Sequence, residues 1–499
     1  MTTAQEALER VNKLHARLVK RRPGVEKAFN YYEGKQPLAY ASEQWKQFHR
    51  DRYKDFADNW CGVVAMAPVD RLRIDGFRLG DSTEKATAEE QQLWKDWNRN
   101  ELGSQSQQGF LTSNVAKRSA TLVWGTKDEE PVVTWEHPSQ VIIDYAPDGR
   151  TRRAALKAWT DEDVEYATLY LPDGVWKWQR PTYVIQGVTE SGLIVPTASA
   201  LGSGGWKPRE VRDETWPLEN PFGAVPLVEW LNQPMLGGDP ISSIAGTMAM
   251  QDAINLLWAY MFTAADHASM PARVVLGAEP PKVPILDDNG QIVGSRPAKL
   301  EDLAQGRLLF LPGKGDQAPK IGQWDPAKLD VFGAEITRAI GHIAAQTRTP
   351  GHYLLTNEKF ANLNGEALTA AEVPLVTKTG SQQLHFSPAA KETSALMAQA
   401  RGNDALAAQI READASRFTQ WKDSAMHSLP QIADAATKDR AVGLSLRTIL
   451  ERRYGMTEQE IDQEMGRIEA EQNDPTLERI TRGLIDASGG AGAAGGIGG

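Results

Sequence analysis

The sequence predicts an α+β chain, mostly helical, with a block of antiparallel sheet set between helical regions. Three observations carry this reading. Apolar residues recur at helical spacing before residue 120 and again after 239. Between 121 and 231 the period changes to short runs rich in β-branched and aromatic residues, separated by turn signals. Hydrophobic residues make up 41% and charged residues 24%, which supports real cores, and 499 residues suit about three domains.

The first 70 residues read as helices, with Val11, Leu14 and Leu18 on one stripe and an apolar run over Asp58 to Asp70. Residues 74–80 read as a short strand. Glu84 to Asn98 is a helix with Leu93, Trp94 and Trp97 on one side, and Gln105 to Ser119 is another. The sheet region follows. Its runs begin at Thr121, Val132, Val141, Ala154, Tyr166, Val175 and Leu227, and Pro147-Asp-Gly149 and Pro172-Asp-Gly174 supply turns. Ser199 to Gly205 reads as a loop.

From Asp239 the chain turns helical, with Pro240 in the first turn, as far as about His267. Residues 271–325 are mixed, and the runs at Val274 and Leu308 read as strands. Asp325-Pro326 opens a second helix toward Gln346. A loop, 349–364, precedes a long helical pattern from Gly365 to Arg401. Pro374 and Pro388 inside it predict a bent helix or two helices in sequence. Residues 404–486 read as helical, with capping-box spacing at Thr457 and Glu460. Nine acidic and four basic residues fall in 451–480. The Gly/Ala tail, 488–499, cannot bury a core and is expected to be disordered.

Charge and chemistry are mostly exclusions. Fifty-five basic residues against 65 acidic give a net charge of -10, with no long basic run, so tight nucleic-acid binding is not expected. The single cysteine, Cys61, excludes an internal disulfide and reads as a small buried hydrophobe. No signal-peptide core is present, and the most apolar helical stretch, Ile241 to Ala265, is interrupted by Gln251, Asp252 and Asn255. A soluble protein made in a cytoplasm, with no membrane partner, is expected. No metalloprotease His pair, nucleophile elbow or paired-cysteine motif occurs. Leu311-Pro-Gly-Lys-Gly315 lacks the first glycine of a phosphate loop, having Leu308 there, and has Gly315 where Ser or Thr is needed. The eight histidines are scattered, so no metal, cofactor or catalytic residue is expected. The fifteen tryptophans read as core packing, or as subunit-interface residues where they reach the surface.

Several segments, in order, carry a resemblance. They are Tyr31-Tyr-Glu-Gly34, Asn59-Trp60, Val69-Asp-Arg-Leu-Arg-Ile-Asp-Gly-Phe-Arg78, Asn220-Pro-Phe-Gly-Ala-Val-Pro226, Gly238-Asp-Pro-Ile-Ser-Ser243, Gln251-Asp-Ala-Ile-Asn255 and Pro271-Ala-Arg273. Together, over roughly residues 25–475, they resemble the portal proteins of tailed phages, of the Gram-positive siphophage type and most like those infecting actinobacteria. No single motif is diagnostic; the ordered set is.

The resemblance implies a non-enzymatic subunit of a ring, typically of twelve copies, at one capsid vertex. It implies a wing over 1–238, a stem helix over 239–267, a clip over 268–325 and a second stem helix over 326–348. A tunnel loop over 349–364, a long kinked helix with return to the wing over 365–444 and a crown over 445–487 complete the plan. The implied partners are further copies of the chain, double-stranded DNA passing without sequence specificity, the terminase large subunit, head-completion or adaptor proteins, and major capsid and scaffold proteins. Lys359 is the sole Lys or Arg between Pro350 and Asn364, which makes it the candidate DNA contact, with Asn357 and Asn362 as hydrogen-bond donors to phosphate. Twelve chains at -10 would carry a formal charge of about -120, and a negative wall would keep DNA sliding rather than sticking. The rival reading is another structural virion protein, such as a head–tail adaptor or minor capsid protein. A metal-dependent nuclease would need clustered carboxylates, which the sequence does not display.

Overall fold

The computed structural model describes residues 2–38, 56–80, 86–125, 130–182, 184–188, 194–197, 205–269, 273–276, 282–286, 291–297, 308–311, 320–323, 328–355, 365–425, 429–456 and 458–472. It is an α+β arrangement of helices and mainly antiparallel sheets.

Helix α1 (Ala4–Glu33) opens on a capping box between Thr3 and Glu6 and stops at Gly34, whose φ of 73° is the left-handed conformation glycine tolerates. Its Val11, Leu14 and Leu18 are buried against the sheet that follows. The apolar run beyond becomes α2 (Trp60–Val69), capped by the Asn59 side chain. Strand β1 (Ile74–Phe77) leads to α3 (Ala88–Arg99), which a Thr87–Glu90 capping box starts, and then α4 (Leu102–Ala116).

The sheet block resolves into two principal sheets. β2 (Arg118–Gly125), β3 (Pro131–Glu136) and the later β11 (Leu227–Leu231) form one, in the order β11-β2-β3. β4 (Val141–Tyr145), β5 (Arg152–Asp161), β6 (Val164–Leu171), β7 (Gly174–Pro181) and β10 (Lys207–Pro208) form the other, a meander. β8 (Val184–Val188) and β9 (Ile194–Thr197) make a separate hairpin that the sequence reading did not anticipate. The Pro147-Asp-Gly149 turn behaves as predicted: Asp148 accepts from the backbone amides of Arg150 and Thr151, both at 2.9 Å.

Helix α5 (Met248–Ser269) precedes β12 (Arg273–Leu276), β13 (Lys282–Leu286), β14 (Ile292–Pro297), β15 (Leu308–Leu311) and β16 (Lys320–Gln323). β12 lies between β15, parallel, and β16, antiparallel, while β13 and β14 form a hairpin. Helix α6 (Asp330–Thr347) packs on α5 around Ile254, Ile336, Ile340 and Ile343. A single turn, α7 (Gly351–Leu354), precedes α8 (Gly365–Ala400), a continuous helix of 36 residues despite Pro374 and Pro388. The chain closes with α9 (Asp404–Glu412), α10 (Ala415–Phe418), β17 (Thr419–Trp421), α11 (Leu429–Ala441), α12 (Leu446–Tyr454) and α13 (Glu458–Gln472).

The largest core lies where α8 crosses the β11-β2-β3 sheet. Phe386 stacks on Phe110 of α4 at 5.3 Å between ring centroids, and Trp230 packs against both. Gly109 lies on the same face of α4, directly against the indole of Trp135.

Four boundaries differ from the sequence reading. The helix placed at Gln105 to Ser119 ends at Ala116, because Arg118 and Ser119 pair with Leu231 and Trp230 in the sheet. The helix placed from Asp239 begins only at Met248. Ser242 and Ser243 instead close the end of α4: the Ser242 hydroxyl donates to the Val115 carbonyl at 2.7 Å, and the Ser243 amide to Asn114 at 2.8 Å. Those bonds win over the proline-first-turn signal at Pro240. Residues 419–421, read as helical, form β17, which covers the edge of β1. Helix α6 starts at Asp330, and the Asp325-Pro326 signal lies outside the described residues, as do Thr457 and the Gly/Ala tail.

Candidate functional site

The loop singled out in the sequence leaves α6 and enters α8. Asn357, Lys359 and Asn362 lie outside the described residues, but the groups that hold the loop's base do not. Helix α6 ends with Arg348 in the left-handed region at φ 55°, leaving last-turn carbonyls that need donors. Lys378, reaching in from α8, donates its Nζ to the Thr347 carbonyl at 3.0 Å. The Thr347 hydroxyl donates to Ile343 at 2.7 Å and pairs with Thr349 at 2.9 Å. Burial, and then the charge of Arg348, pulls the Lys378 ammonium down to about 8.

The other support is an ion-pair cluster. His352 Nε2 on α7 lies 2.8 Å from Glu372 Oε1 on α8. Arg71, at the exit of α2, donates to Glu372 Oε2 at 2.5 Å, to the Tyr353 hydroxyl at 2.7 Å and to the Ser424 carbonyl at 3.0 Å. The Arg71 and Glu372 side chains are 8% and 10% exposed. Such a pair is worth little as net attraction and a great deal as a constraint, because removing one partner strands the other in a poorly solvated site. The cluster therefore ties the first turn beyond α6 to α8 and to the α2–β1 connection at once.

A second joint connects α1, α2 and α5. Gln251 accepts from the Trp60 amide at 2.7 Å and donates to the Asp58 carbonyl. Asn255 accepts from the Asp58 amide at 3.0 Å, and Trp258 Nε1 donates to the Asp58 carboxylate at 2.8 Å. Tyr31 donates to Asp252 at 2.7 Å, and Asn59 to the Tyr32 carbonyl at 2.6 Å. A third joint lies under α8: Gln382 donates to Asn114 at 2.7 Å and to Asn232 at 2.9 Å. These are polar seams inside apolar cores, and they fix register because each group has only one place where it is satisfied.

This geometry can position a loop and lock helices together. Among the described residues no group of His, Cys, Asp and Glu could hold a metal, and no helix is long and apolar enough to cross a membrane. Cys61 is buried, and burial followed by the Asp252 charge pushes its thiol up to about 12, far from a reactive thiolate.

The sequence pattern of the family described as "Phage portal protein, SPP1 Gp6-like" matches residues 12–476. The chain belongs to this family. No curated protein matches it in sequence. Portal proteins are structural components of the phage capsid, serving genome packaging and the head–tail connection.

In this portal chain several of the segments that carried the resemblance lie at the joints. Tyr31, Asn59, Trp60, Gln251, Asp252 and Asn255, up to 224 residues apart in sequence, meet at one place. Asn220 shapes its own turn, donating to the Leu171 and Ala224 carbonyls at 2.6 and 2.8 Å. The sequence reading missed Arg71, Tyr353, Glu372 and Lys378. A signal existed: Glu372 and Lys378 are single charges within the apolar pattern around Val373, Leu375 and Val376, where a charge is costly unless paired.

Proposed function

We propose that this portal chain assembles as a ring of twelve at one capsid vertex, through which a terminase motor drives duplex DNA during packaging. Head-completion proteins then bind it to retain the genome and join the tail. The observation that carries the reading is the family match together with the helix pair α5 and α6. These two helices pack on each other and flank a strand-rich insertion, 273–323, the order expected of stem, clip and stem. On this plan residues 1–238 supply the wing, α8 underlies the tunnel loop, and 445–487 supply the crown.

The tunnel loop is the DNA-facing element, with Lys359 making transient contacts to phosphate and Asn357 and Asn362 donating beside it. The net charge of -10 per chain supports a lumen that repels DNA and lets it slide. The polar clamp of Arg71, His352, Tyr353 and Glu372 holds the base of that loop. Lys359→Ala tests the assignment. Rings should form in normal yield while the amount of DNA retained per particle falls, and Asn357→Ala with Asn362→Ala should add to the defect. Normal DNA retention in the triple variant would remove the loop from the translocation path.

A further inference from the structure

One face of the five-stranded sheet is covered by α1. On the other face, cover from β2 and β11 reaches Ala155, Tyr170 and Val175 and then stops. Past that step lies a hollow of about 430 Å³. Trp159 of β5, Thr168 and Tyr170 line it, and the Trp159 ring stacks on Tyr166 of β6, 5.4 Å apart at 23°. Trp97, Trp176, Trp178, Trp206 and Trp230 are sealed in cores, whereas Trp159 is only partly buried. The guanidinium of Arg209 stands over both rings, 5.6 Å from Trp159 and 5.0 Å from Tyr166. Lys157 and Lys177 flank it, each facing one carboxylate, Glu136 and Glu214. Arg209 has no carboxylate partner among the described residues, so the hollow is net positive on a chain that is net negative. A second cleft of about 620 Å³ shares Gln140, Trp159 and Thr160 with it and is walled by Val25 and Phe29 of α1, with Arg22, Glu26 and Glu33 of the same helix also lining it.

We propose that this hollow docks an acidic segment of a partner polypeptide, seating a carboxylate on Arg209 and an adjacent apolar side chain against Trp159 and Phe29. A guanidinium over aromatic faces still has N–H groups to spare, and its fork can match a carboxylate in two-point fashion. Arginine beside tryptophan is also the pairing on which interfaces most often anchor. Nucleic acid suits the site poorly. Arg209 stands over the ring faces on which a base would stack, and the two lysines that could meet a phosphate backbone are already paired with Glu136 and Glu214. The proposal does not depend on the channel function.

The test uses the full chain and a fluorescein-labelled hexapeptide, Glu-Glu-Leu-Glu-Glu-Phe, followed by fluorescence anisotropy. Binding should weaken by about tenfold or more in Arg209→Gln and in Trp159→Ala, and Arg209→Lys should fall between, since it keeps the charge and loses the fork. High salt should weaken it too. Unchanged thermal melting of Arg209→Gln confirms that the fold survives. The proposal fails if the wild-type chain does not bind the peptide, if the all-Gln analogue binds equally well, or if the variants bind like wild type. Displacement of the peptide by a single-stranded oligodeoxynucleotide would assign the hollow to nucleic acid instead. Loss of self-assembly in Arg209→Gln would assign it to a second copy of the chain. Either result overturns the proposal.

Discussion

Gly109 sits inside α4, where glycine is ordinarily a defect: alanine at an exposed helix interior is favoured by about 1 kcal/mol. Propensity alone therefore predicts that Gly109→Ala stabilises. The packing predicts the reverse. A Cβ built on Gly109 would lie within 2.5 Å of Cε3, Cζ3 and Cδ2 of the Trp135 indole, against about 3.5–4.0 Å for an unstrained carbon contact. The ring would have to move by about 1 Å or more to restore that contact. It has little room, because Trp230 lies 4.9 Å away on one side and Phe110 at 5.9 Å on another. Overpacking of this kind costs about 1–3 kcal/mol, so after the propensity gain of about 1 kcal/mol the variant should gain nothing and lose up to about 2 kcal/mol. Urea denaturation followed by circular dichroism at fixed protein concentration reads this as a lower midpoint at unchanged slope. Trp135→Leu clears the space, so Gly109→Ala should be neutral or stabilising in that background. A stabilised Gly109→Ala single variant would refute the packing of α4 on β3.

Three further outcomes follow from the polar sites. Glu372→Ala strands Arg71 in a nearly closed site and should cost about 3–5 kcal/mol; in differential scanning calorimetry, a melting temperature matching wild type would contradict the clamp. Burial pushes Glu165 up, but hydrogen bonds and charges from His15 and Arg180 outweigh it and hold the carboxyl at about 2. That depressed value stabilises the fold by about 3 kcal/mol above the ordinary carboxyl range, near pH 4.5, and the contribution disappears as pH falls from there toward 2. The melting-temperature gap between wild type and Glu165→Gln should therefore be widest at neutral pH and close with acid. Lys378 carries the opposite sign. Its buried cation costs stability below about pH 8, so the fold should gain up to about 3 kcal/mol between pH 8 and 10.5. Lys378→Met should lack that rise in pH-dependent unfolding.

Much of the architecture was legible in the sequence because it rests on local rules. The stripe of Val11, Leu14 and Leu18, the turn at Asp148 and the β-rich runs that became β5 to β7 each act within a few residues. The errors arose where distant groups overrule local preference. Asp239-Pro240 is a good helix start by itself, yet Ser242 and Ser243 are claimed by the end of α4. β17 is three residues long and exists because β1 needs an edge partner some 340 residues away. The site was legible only in part. Lys359, singled out by its isolation, lies outside the described residues, whereas the Arg71–Glu372 clamp joins residues 301 positions apart, and no spacing rule announces it.

The most direct test of the account is the assembled state of the full-length chain, by mass photometry and electron microscopy on one preparation. Twelve copies of the 54.9 kDa chain predict a particle of about 659 kDa, seen end-on as a ring with a central channel. A stable small oligomer with no channel would contradict the central claim.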